Sequence, residues 1–207
     1  MRGLSPGALL LSAVDRYTGV DFSKTGIDLA RERFEVVSTP HSFSVADVCN
    51  LPFEDGQFDA IYSAHMLYHI EDPSAQYQAL QEMQRVLKPG GVLILHLANP
   101  WPVLFPLRAL IRLVASSRLL KTLARRVRGS SPLPYNPQSI SWTKSALSRC
   151  RSGKVMTGGI PSTRFNQTVS EHRFPGKQLW QGIGWLETAV PGLSAYLGNY
   201  VIYICRK

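Results

Sequence analysis

One stretch, residues 46–70, constrains the fold of this chain more than any other. Within it, the run Phe58–Ser63 is rich in β-forming residues and follows the turn dipeptide Asp55-Gly56, which predicts a short strand. Asp47 stands at the end of the strand predicted before it. Because parallel strands end in loops that form a ligand crevice, the stretch predicts a parallel sheet with an acidic residue at its ligand-binding edge.

Strands and helices alternate along the rest of the chain. Local signals place the helix starts, with Ser23, Asp72 and Asn136 as N-caps and Pro73 in a first turn. The alternation predicts an α/β fold in one domain over residues 1–207, with a mostly parallel sheet and helices on both faces. The strands are predicted at 17–21, 42–46, 58–63, 92–97, 154–157 and 200–205, and the main helices at 25–34, 73–87 and 137–149.

Asp21 ends the first of these strands, Tyr17–Asp21. A carboxylate at the end of such a strand can accept hydrogen bonds from ribose hydroxyls, which both NAD and S-adenosylmethionine (SAM) carry. The same side chain could instead simply cap the helix that follows. The residue type alone leaves both interpretations open.

A family resemblance rests on the order of several motifs. Asp47, Leu51-Pro52-Phe53 and Phe58-Asp59, followed by the turn and strand Leu87–Leu95, resemble class I SAM-dependent methyltransferases with a methyltransferase type 11-like domain. The resemblance covers about residues 15–100. It implies SAM as cofactor, a Rossmann-like sheet with an antiparallel last strand, and methyl transfer to a small-molecule, lipid-like or sugar acceptor. The Leu-Pro-Phe and Pro-Gly-Gly segments speak against an NAD-dependent dehydrogenase.

The resemblance also assigns roles to matching positions. Asp21, followed by Phe22, would bind the ribose of SAM. Asp47 would receive the adenine amino group, and Val48 would give the ring a backbone contact. The segment Ser63-Ala64-His65 would lie beside the methionine part. For Asp47 the alternative is a loop aspartate that only solvates a strand end.

Two histidines, His65 and His69, are four residues apart. This is a metal-ligand spacing on a helix, but the Glu of a His-Glu-x-x-His motif and a third ligand are missing, so no metal is predicted. His69 could instead face the acceptor as a catalytic general base, because its unperturbed pKa lies near neutrality. A helix-start histidine without a catalytic role is the alternative.

The family's first strand and its loop, acid-x-Gly-x-Gly-x-Gly, have no full counterpart in the sequence. Gly3 stands 16 residues before Gly19, which is close to the separation expected between the last loop glycine and the next strand. We therefore expect the chain to begin inside this motif, with Gly3 as a cofactor-binding glycine and with the first, central strand lacking. A second hypothesis follows, in which the chain is a non-catalytic methyltransferase-fold remnant or an interaction module.

The net charge of +9 is concentrated in one segment. Seven Arg or Lys residues, and no Asp or Glu, lie between Trp101 and Gly129. The basic run lacks interleaved aromatic residues, so no nucleic-acid partner is predicted. Residues 101–135 instead predict a basic amphipathic helical insertion. It could be a lid over the acceptor, a peripheral membrane contact through 101–129, or a basic face packed on the sheet.

The cysteines bear on the compartment. Cys49, Cys150 and Cys205 are widely spaced and odd in number, which predicts reduced thiols in a cytoplasmic protein. No run of 18 apolar residues is present, so a spanning helix is not predicted, although a membrane-peripheral location stays open. The oligomeric state is not indicated by any feature of the sequence.

Overall fold

The computed structural model describes residues 14–100, 136–150, 152–159, 185, 188–190, 194 and 198–207. The chain divides into two compact units, Met1–Phe53 and Glu54–Lys207. Gly3 and the basic insertion 101–135 lie outside the described residues. The single domain over 1–207 and the lacking central strand stay predictions.

The first unit contains two parallel strands and one helix. They are β1 (Tyr17–Asp21), α1 (Lys24–Phe34) and β2 (His41–Val45). Strands β1 and β2 pair in parallel along their whole length. Ser23 caps α1, as predicted, because its Oγ accepts the Gly26 N–H over 3.2 Å.

Aromatic side chains and one isoleucine hold α1 on the strands. Ile27 of α1 is only 2% exposed. The centroid of the Phe34 ring lies 5.3 Å from that of Tyr17 and 4.9 Å from that of Phe43. Burial of this apolar face fixes the helix that follows β1, and with it the loop at the carboxyl end of β1.

The second unit contains a four-stranded mixed sheet. Its elements are β3 (Phe58–Ala64), a 3₁₀ turn (Leu67–His69), α2 (Pro73–Val86), β4 (Leu87–Ala98), α3 (Ile140–Ala146), β5 (Ser152–Gly159) and β6 (Tyr200–Arg206). The strand order is β3-β4-β6-β5. Strand β3 is parallel to β4, whereas β6 is antiparallel to both of its neighbours. The α/β fold with an antiparallel last strand is thus confirmed.

Helix α2 begins where the sequence predicted. Pro73 occupies its first turn, and the Asp72 carboxylate accepts the Ser74 N–H over 3.0 Å. Its inner face and the inward residues of β4 and β6 make up the core of this unit. The members that are at most 2% exposed include Ala79, Leu80, Met83, Val86, Leu87, Leu93, Leu95 and Val201.

Two predicted boundaries are wrong. The segment Lys88–Gly91 was expected to separate helix from strand, but β4 already begins at Leu87. The C-terminal residue extends the ladder there: Gly90 N–H donates to the Lys207 carbonyl over 2.9 Å, and Lys207 N–H donates to the Gly91 carbonyl over 3.1 Å. Backbone pairing with a distant segment therefore overrides the local turn signal.

The predicted helix start at Asn136 is the second error. Helix α3 begins at Ile140, and Ser139 is its N-cap, with Oγ accepting the Trp142 N–H over 3.1 Å. The side-chain amide of Asn136 is engaged elsewhere, because it donates to the Glu71 carbonyl over 2.7 Å. A long-range contact thus removes Asn136 from its local capping role.

The cysteine prediction also needs correction. Cys150 and Cys205 form a disulfide, with their Cα atoms 5.8 Å apart. Strand pairing of Gly153 with Cys205 brings the residues just after α3 alongside β6. The expectation of three reduced thiols is therefore wrong for this pair.

Candidate functional site

In the first unit, Asp21 and Asp47 follow the carboxyl ends of two paired strands. The Ala46 N–H donates a hydrogen bond to the Asp21 carbonyl over 3.0 Å. Asp47 therefore lies directly beyond the end of the strand ladder. Both aspartates are exposed. Parallel pairing therefore brings the two predicted cofactor acids to one edge of this unit.

The Asp21 carboxylate is oriented by its own loop. Its Oδ1 accepts the Ser23 N–H over 2.7 Å, whereas Oδ2 has no hydrogen bond to a described residue. A Cβ atom added at Gly26 would lie 3.3 Å from the Asp21 carboxyl carbon, which is a tight contact. Glycine at position 26 thus leaves room for an oriented carboxylate with one oxygen available to a ligand.

Asp47 has a similar arrangement. Its Oδ1 accepts the Cys49 N–H over 2.9 Å, and Oδ2 has no hydrogen bond to a described residue. Val48 is half-buried in the turn that follows. Phe22, after β1, is 80% exposed, so its ring is available for contact with a ligand.

In the second unit, four rings meet at the carboxyl ends of β3 and β4. We call His65, Tyr68, His96 and Tyr200 the imidazole–tyrosine cluster. His65 Nδ1 lies 2.8 Å from Tyr68 Oη. The His65 ring centroid lies 4.0 Å from that of His96 and 4.9 Å from that of Tyr200. His65 is exposed, whereas Tyr68 is buried. The imidazole of His65 is therefore accessible to solvent and is held by a buried tyrosine.

The backbone of His65 is strained. Its φ of 54° lies in the left-handed region, and no other non-glycine residue among those described has a positive φ. Such a conformation costs on the order of 1–3 kcal/mol and persists where surrounding contacts enforce it. Here the His65 N–H donates to the His96 carbonyl over 3.2 Å, and Tyr68 holds the ring.

The cluster also affects the protonation of His65. Partial desolvation by the neighbouring rings lowers the pKa of this imidazole below its ordinary value of 6.5, and the nearby charge of His69 lowers it further. At neutral pH the His65 ring is therefore uncharged. A neutral imidazole can accept a proton at one nitrogen.

The other predicted residues of this unit are placed differently. Ser63 lies in β3 and is only 8% exposed. His69 ends the 3₁₀ turn, with its ring 4.5 Å from that of Tyr68, while His65 lies before that turn. The described residues contain no group of three or more His, Cys, Asp or Glu side chains that could hold a metal ion.

A small cavity adjoins Tyr68. It encloses about 10 Å³, which is room for about one water molecule. Leu97, Trp142 and Thr143 also line it. Tyr68 thus contacts His65 through its hydroxyl and also lines this cavity, together with apolar and polar side chains.

Sequence reasoning missed Tyr68, His96 and Tyr200. Tyr68 lies three residues after His65, and His96 lies near the end of an apolar strand. That position at the carboxyl end of a parallel strand was a usable signal. Tyr200 gave none, because only the antiparallel pairing of β6 with β4 brings it to this edge.

Comparison with known proteins identifies the class. A SAM-dependent methyltransferase from Methanosarcina mazei has the same fold, with a TM-score of 0.58 at 16% identity. The match covers 98% of this chain and 87% of that one. The fold is therefore that of the Rossmann-like SAM-dependent methyltransferases.

A family model matches the N-terminal part of the sequence. Residues 3–95 match the family model of a methyltransferase domain. This match and the fold agree with the resemblance to SAM-dependent methyltransferases that the motifs around Asp47 predicted.

Curated relatives agree. A demethylmenaquinone methyltransferase of Bacteroides fragilis is 31% identical over 156 residues, which are 74% of this chain and 59% of that protein. A ubiquinone/menaquinone biosynthesis C-methyltransferase of Geotalea daltonii is 40% identical over 91 residues, or 42% of this chain and 37% of that protein. The chain spans only 28–59% of the length of the first curated relatives that it matches.

The family implies SAM as the cofactor, and the donor set of the first unit fits it. Ribose hydroxyls and the adenine amino group are hydrogen-bond donors, and carboxylates are acceptors. Asp21 and Asp47 each offer an oxygen with no hydrogen bond to a described residue. Among the described residues, no helix is both long and apolar enough to cross a membrane.

Proposed function

We propose that the protein transfers a methyl group from SAM to a small-molecule acceptor. The single observation that carries this proposal is the pair of oriented, exposed carboxylates beyond the paired ends of β1 and β2. SAM, when bound, supplies a methyl group already activated by the positive sulfonium. The protein then contributes mainly proximity and orientation.

The cofactor residues are assigned one by one. Asp21 accepts hydrogen bonds from the ribose, and Phe22 flanks it. Asp47 receives the adenine amino group, and Val48 contacts the ring through its backbone. In the second unit, the segment Ser63–His65 is assigned to the methionine part. These assignments rest on the family motifs and on the orientation of the two carboxylates.

The acceptor class is the finer part of the proposal. Relatives include demethylmenaquinone methyltransferases, which supports a small aromatic, lipid-like acceptor for this chain. The chain spans less than two thirds of the length of these relatives. The acceptor is therefore tested directly.

Ligand-dependent thermal unfolding tests cofactor binding. A ligand that binds only the folded state stabilises it by about 2.7 kcal/mol at a concentration of 100 times Kd. We expect SAM and its demethylated product to raise the Tm, and NAD to leave it unchanged. No shift with either SAM or its product would contradict the proposal and support a non-catalytic methyltransferase-fold protein.

Transfer is tested separately with methyl-labelled SAM and 1,4-naphthoquinol as the acceptor probe. Labelled product is expected in the organic extract. The demethylated cofactor product, added in excess, should suppress it. SAM binding without transfer to this probe would overturn the aromatic acceptor class while leaving cofactor binding in place.

A further inference from the structure

The imidazole–tyrosine cluster has an arrangement suited to proton transfer. His65 is exposed, whereas the residues that fix its ring are half-buried or buried. Its Nδ1 is engaged by Tyr68 Oη over 2.8 Å, while its Nε2 has no hydrogen bond to a described residue. One ring nitrogen is thus held by the protein and the other is available to a ligand.

We propose that His65 Nε2 accepts the proton of an acidic hydroxyl on the acceptor, with Tyr68 Oη as the positioning group that keeps the hydrogen of His65 on Nδ1. This inference rests on the methyltransferase function proposed above and names the proton acceptor within it. In the step, the acceptor O–H bond breaks and its proton forms a bond to Nε2. The electron pair stays on oxygen, which leaves an oxyanion beside an imidazolium.

The strained backbone supports a role for this side chain beyond packing. A glycine or asparagine would tolerate the left-handed conformation at position 65 with less strain. The structure instead holds a histidine there by the backbone bond to His96 and the side-chain bond to Tyr68. Strain that neighbouring contacts maintain is a common property of residues that act on ligands.

The surroundings keep His65 ready to accept a proton. The titratable groups around its ring are Tyr68 and His69 from the turn after β3, His96 from β4 and Tyr200 from β6. No salt bridge joins His65 to a described residue. Partial desolvation and the charge of His69 both lower its pKa, so the ring is neutral at physiological pH. In the proposed tautomer, with hydrogen on Nδ1, the lone pair lies on Nε2.

His69 is the competing candidate, since the sequence had proposed it as the general base. Its ring packs against Tyr68, and its backbone N–H caps the turn by donating to Met66 over 2.9 Å. The positive φ and the tyrosine hydrogen bond both belong to His65 instead. The geometry therefore favours His65 over His69.

The first test needs no acceptor. Nitrogen NMR of the full chain, with ¹⁵N-labelled histidine, reads which ring nitrogen of His65 carries hydrogen. We expect protonated Nδ1 and bare Nε2 at neutral pH. Tyr68→Phe should mix the two tautomers, whereas Tyr77→Phe, on the exposed side of α2, should not. Hydrogen on Nε2 in the wild-type protein would overturn the proposal.

The second test uses the methyl-transfer assay with 1,4-naphthoquinol. His65→Asn preserves tolerance of the left-handed backbone, and we expect kcat to fall by roughly 10²–10⁴-fold, the usual contribution of a general base. The segment Ser63–His65 is also assigned to the methionine part of SAM, so the KM for SAM should rise, but by less than about tenfold, which is less than the loss of one charged hydrogen bond. The wild-type rate should rise with pH through the His65 pKa, and His65→Asn should lack this rise.

The outcomes separate the two proposals. If SAM and its product fail to shift the Tm of the wild-type protein, the methyltransferase proposal fails, whatever the tautomer of His65. If transfer occurs and His65→Asn keeps the wild-type kcat, only the assignment of His65 fails. A large loss in His69→Asn with none in His65→Asn would move the role to His69.

Discussion

The side-chain oxygen of Gln84 accepts a hydrogen bond from the backbone N–H of Arg149 over 3.1 Å. Gln84 is fully buried in α2, and its Nε2 also donates to the Ala146 carbonyl over 3.4 Å. The side chain of Gln84 thus hydrogen-bonds both a backbone N–H and a backbone carbonyl at the C-terminal end of α3. This contact joins two helices that are more than sixty residues apart in sequence.

Replacement of this glutamine should destabilise the protein. Gln84→Met keeps the volume but leaves the Arg149 N–H without this partner, whereas the Ala146 carbonyl keeps the hydrogen bond from Gln81 Nε2 over 2.7 Å. We expect the free energy of unfolding to fall by about 1–3 kcal/mol, the cost of leaving such a group unsatisfied. Urea unfolding followed by circular dichroism measures it. Tyr77→Phe, on the exposed side of the same helix, is the control and should stay within about 0.5 kcal/mol.

The two strand-end carboxylates should control cofactor affinity. Asp21→Asn and Asp47→Asn each keep an oxygen for the loop N–H but lose the charge. Because a hydrogen bond to a charged group is worth about 1.5–3 kcal/mol, we expect each to weaken SAM binding by roughly 10- to 100-fold. Isothermal titration calorimetry measures the affinity.

Asp59→Asn provides the matched control for these variants. Asp59 is an exposed aspartate near the start of β3, at the opposite end of the strand from His65, where it pairs with Lys88 over 2.8 Å. Its replacement should leave SAM affinity unchanged. If Asp21→Asn, Asp47→Asn and Asp59→Asn all kept the SAM affinity of the wild type, neither Asp21 nor Asp47 would bind the cofactor through its charge.

The turn before β3 should depend on glycine for backbone reasons alone. Gly56 has a φ of 64°, and an added Cβ would make only ordinary contact, 3.8 Å from Lys88 Cα. Gly56→Ala should therefore cost about 1–2 kcal/mol of stability from the left-handed conformation. Gly56→Asn should cost less, because asparagine tolerates that conformation better. If both variants lost the same stability, side-chain contacts and not backbone conformation would be responsible.

Stability should fall as the solution becomes mildly acidic, in part through His65. The pKa of His65 is lower in the folded protein than the ordinary value of 6.5. Below 6.5 the unfolded chain therefore binds the proton more readily than the folded one. The resulting loss of stability begins as pH falls through 6.5 and is complete below the folded-state pKa.

His65→Asn tests this dependence. The difference in unfolding free energy between wild type and His65→Asn should be constant above pH 6.5 and should shift against the wild type as pH falls below it. Urea unfolding across this range measures the difference. A difference that did not vary with pH would contradict the lowered pKa.

Much of the fold follows from local patterns. Ser23 and Asp72 were predicted as N-caps and serve as such, because a capping side chain needs only an N–H two or three residues further along. The strand at Phe58 was recognised from its composition and the Gly56 turn. The acids Asp21 and Asp47 were placed at strand ends by the same patterns, and the parallel register of β1 and β2 bears this out.

The errors share a cause. Asn136 was expected to cap a helix, but its side chain reaches the Glu71 carbonyl, 65 residues away in sequence. Cys150 was expected to be a thiol, yet the ladder between β5 and β6 brings it to Cys205. In both cases a partner that local sequence cannot specify decides the role of the residue.

The sequence by itself determined the resemblance to methyltransferases, the strand-end acids and the caps, because these depend on residue type and on spacing within one or two turns. The tertiary structure alone decided that His65, Tyr68, His96 and Tyr200 form one cluster. Their convergence requires the registers of β3 with β4 and of β4 with β6. Register is a property of paired strands, so the candidate proton acceptor becomes visible only once those strands are paired.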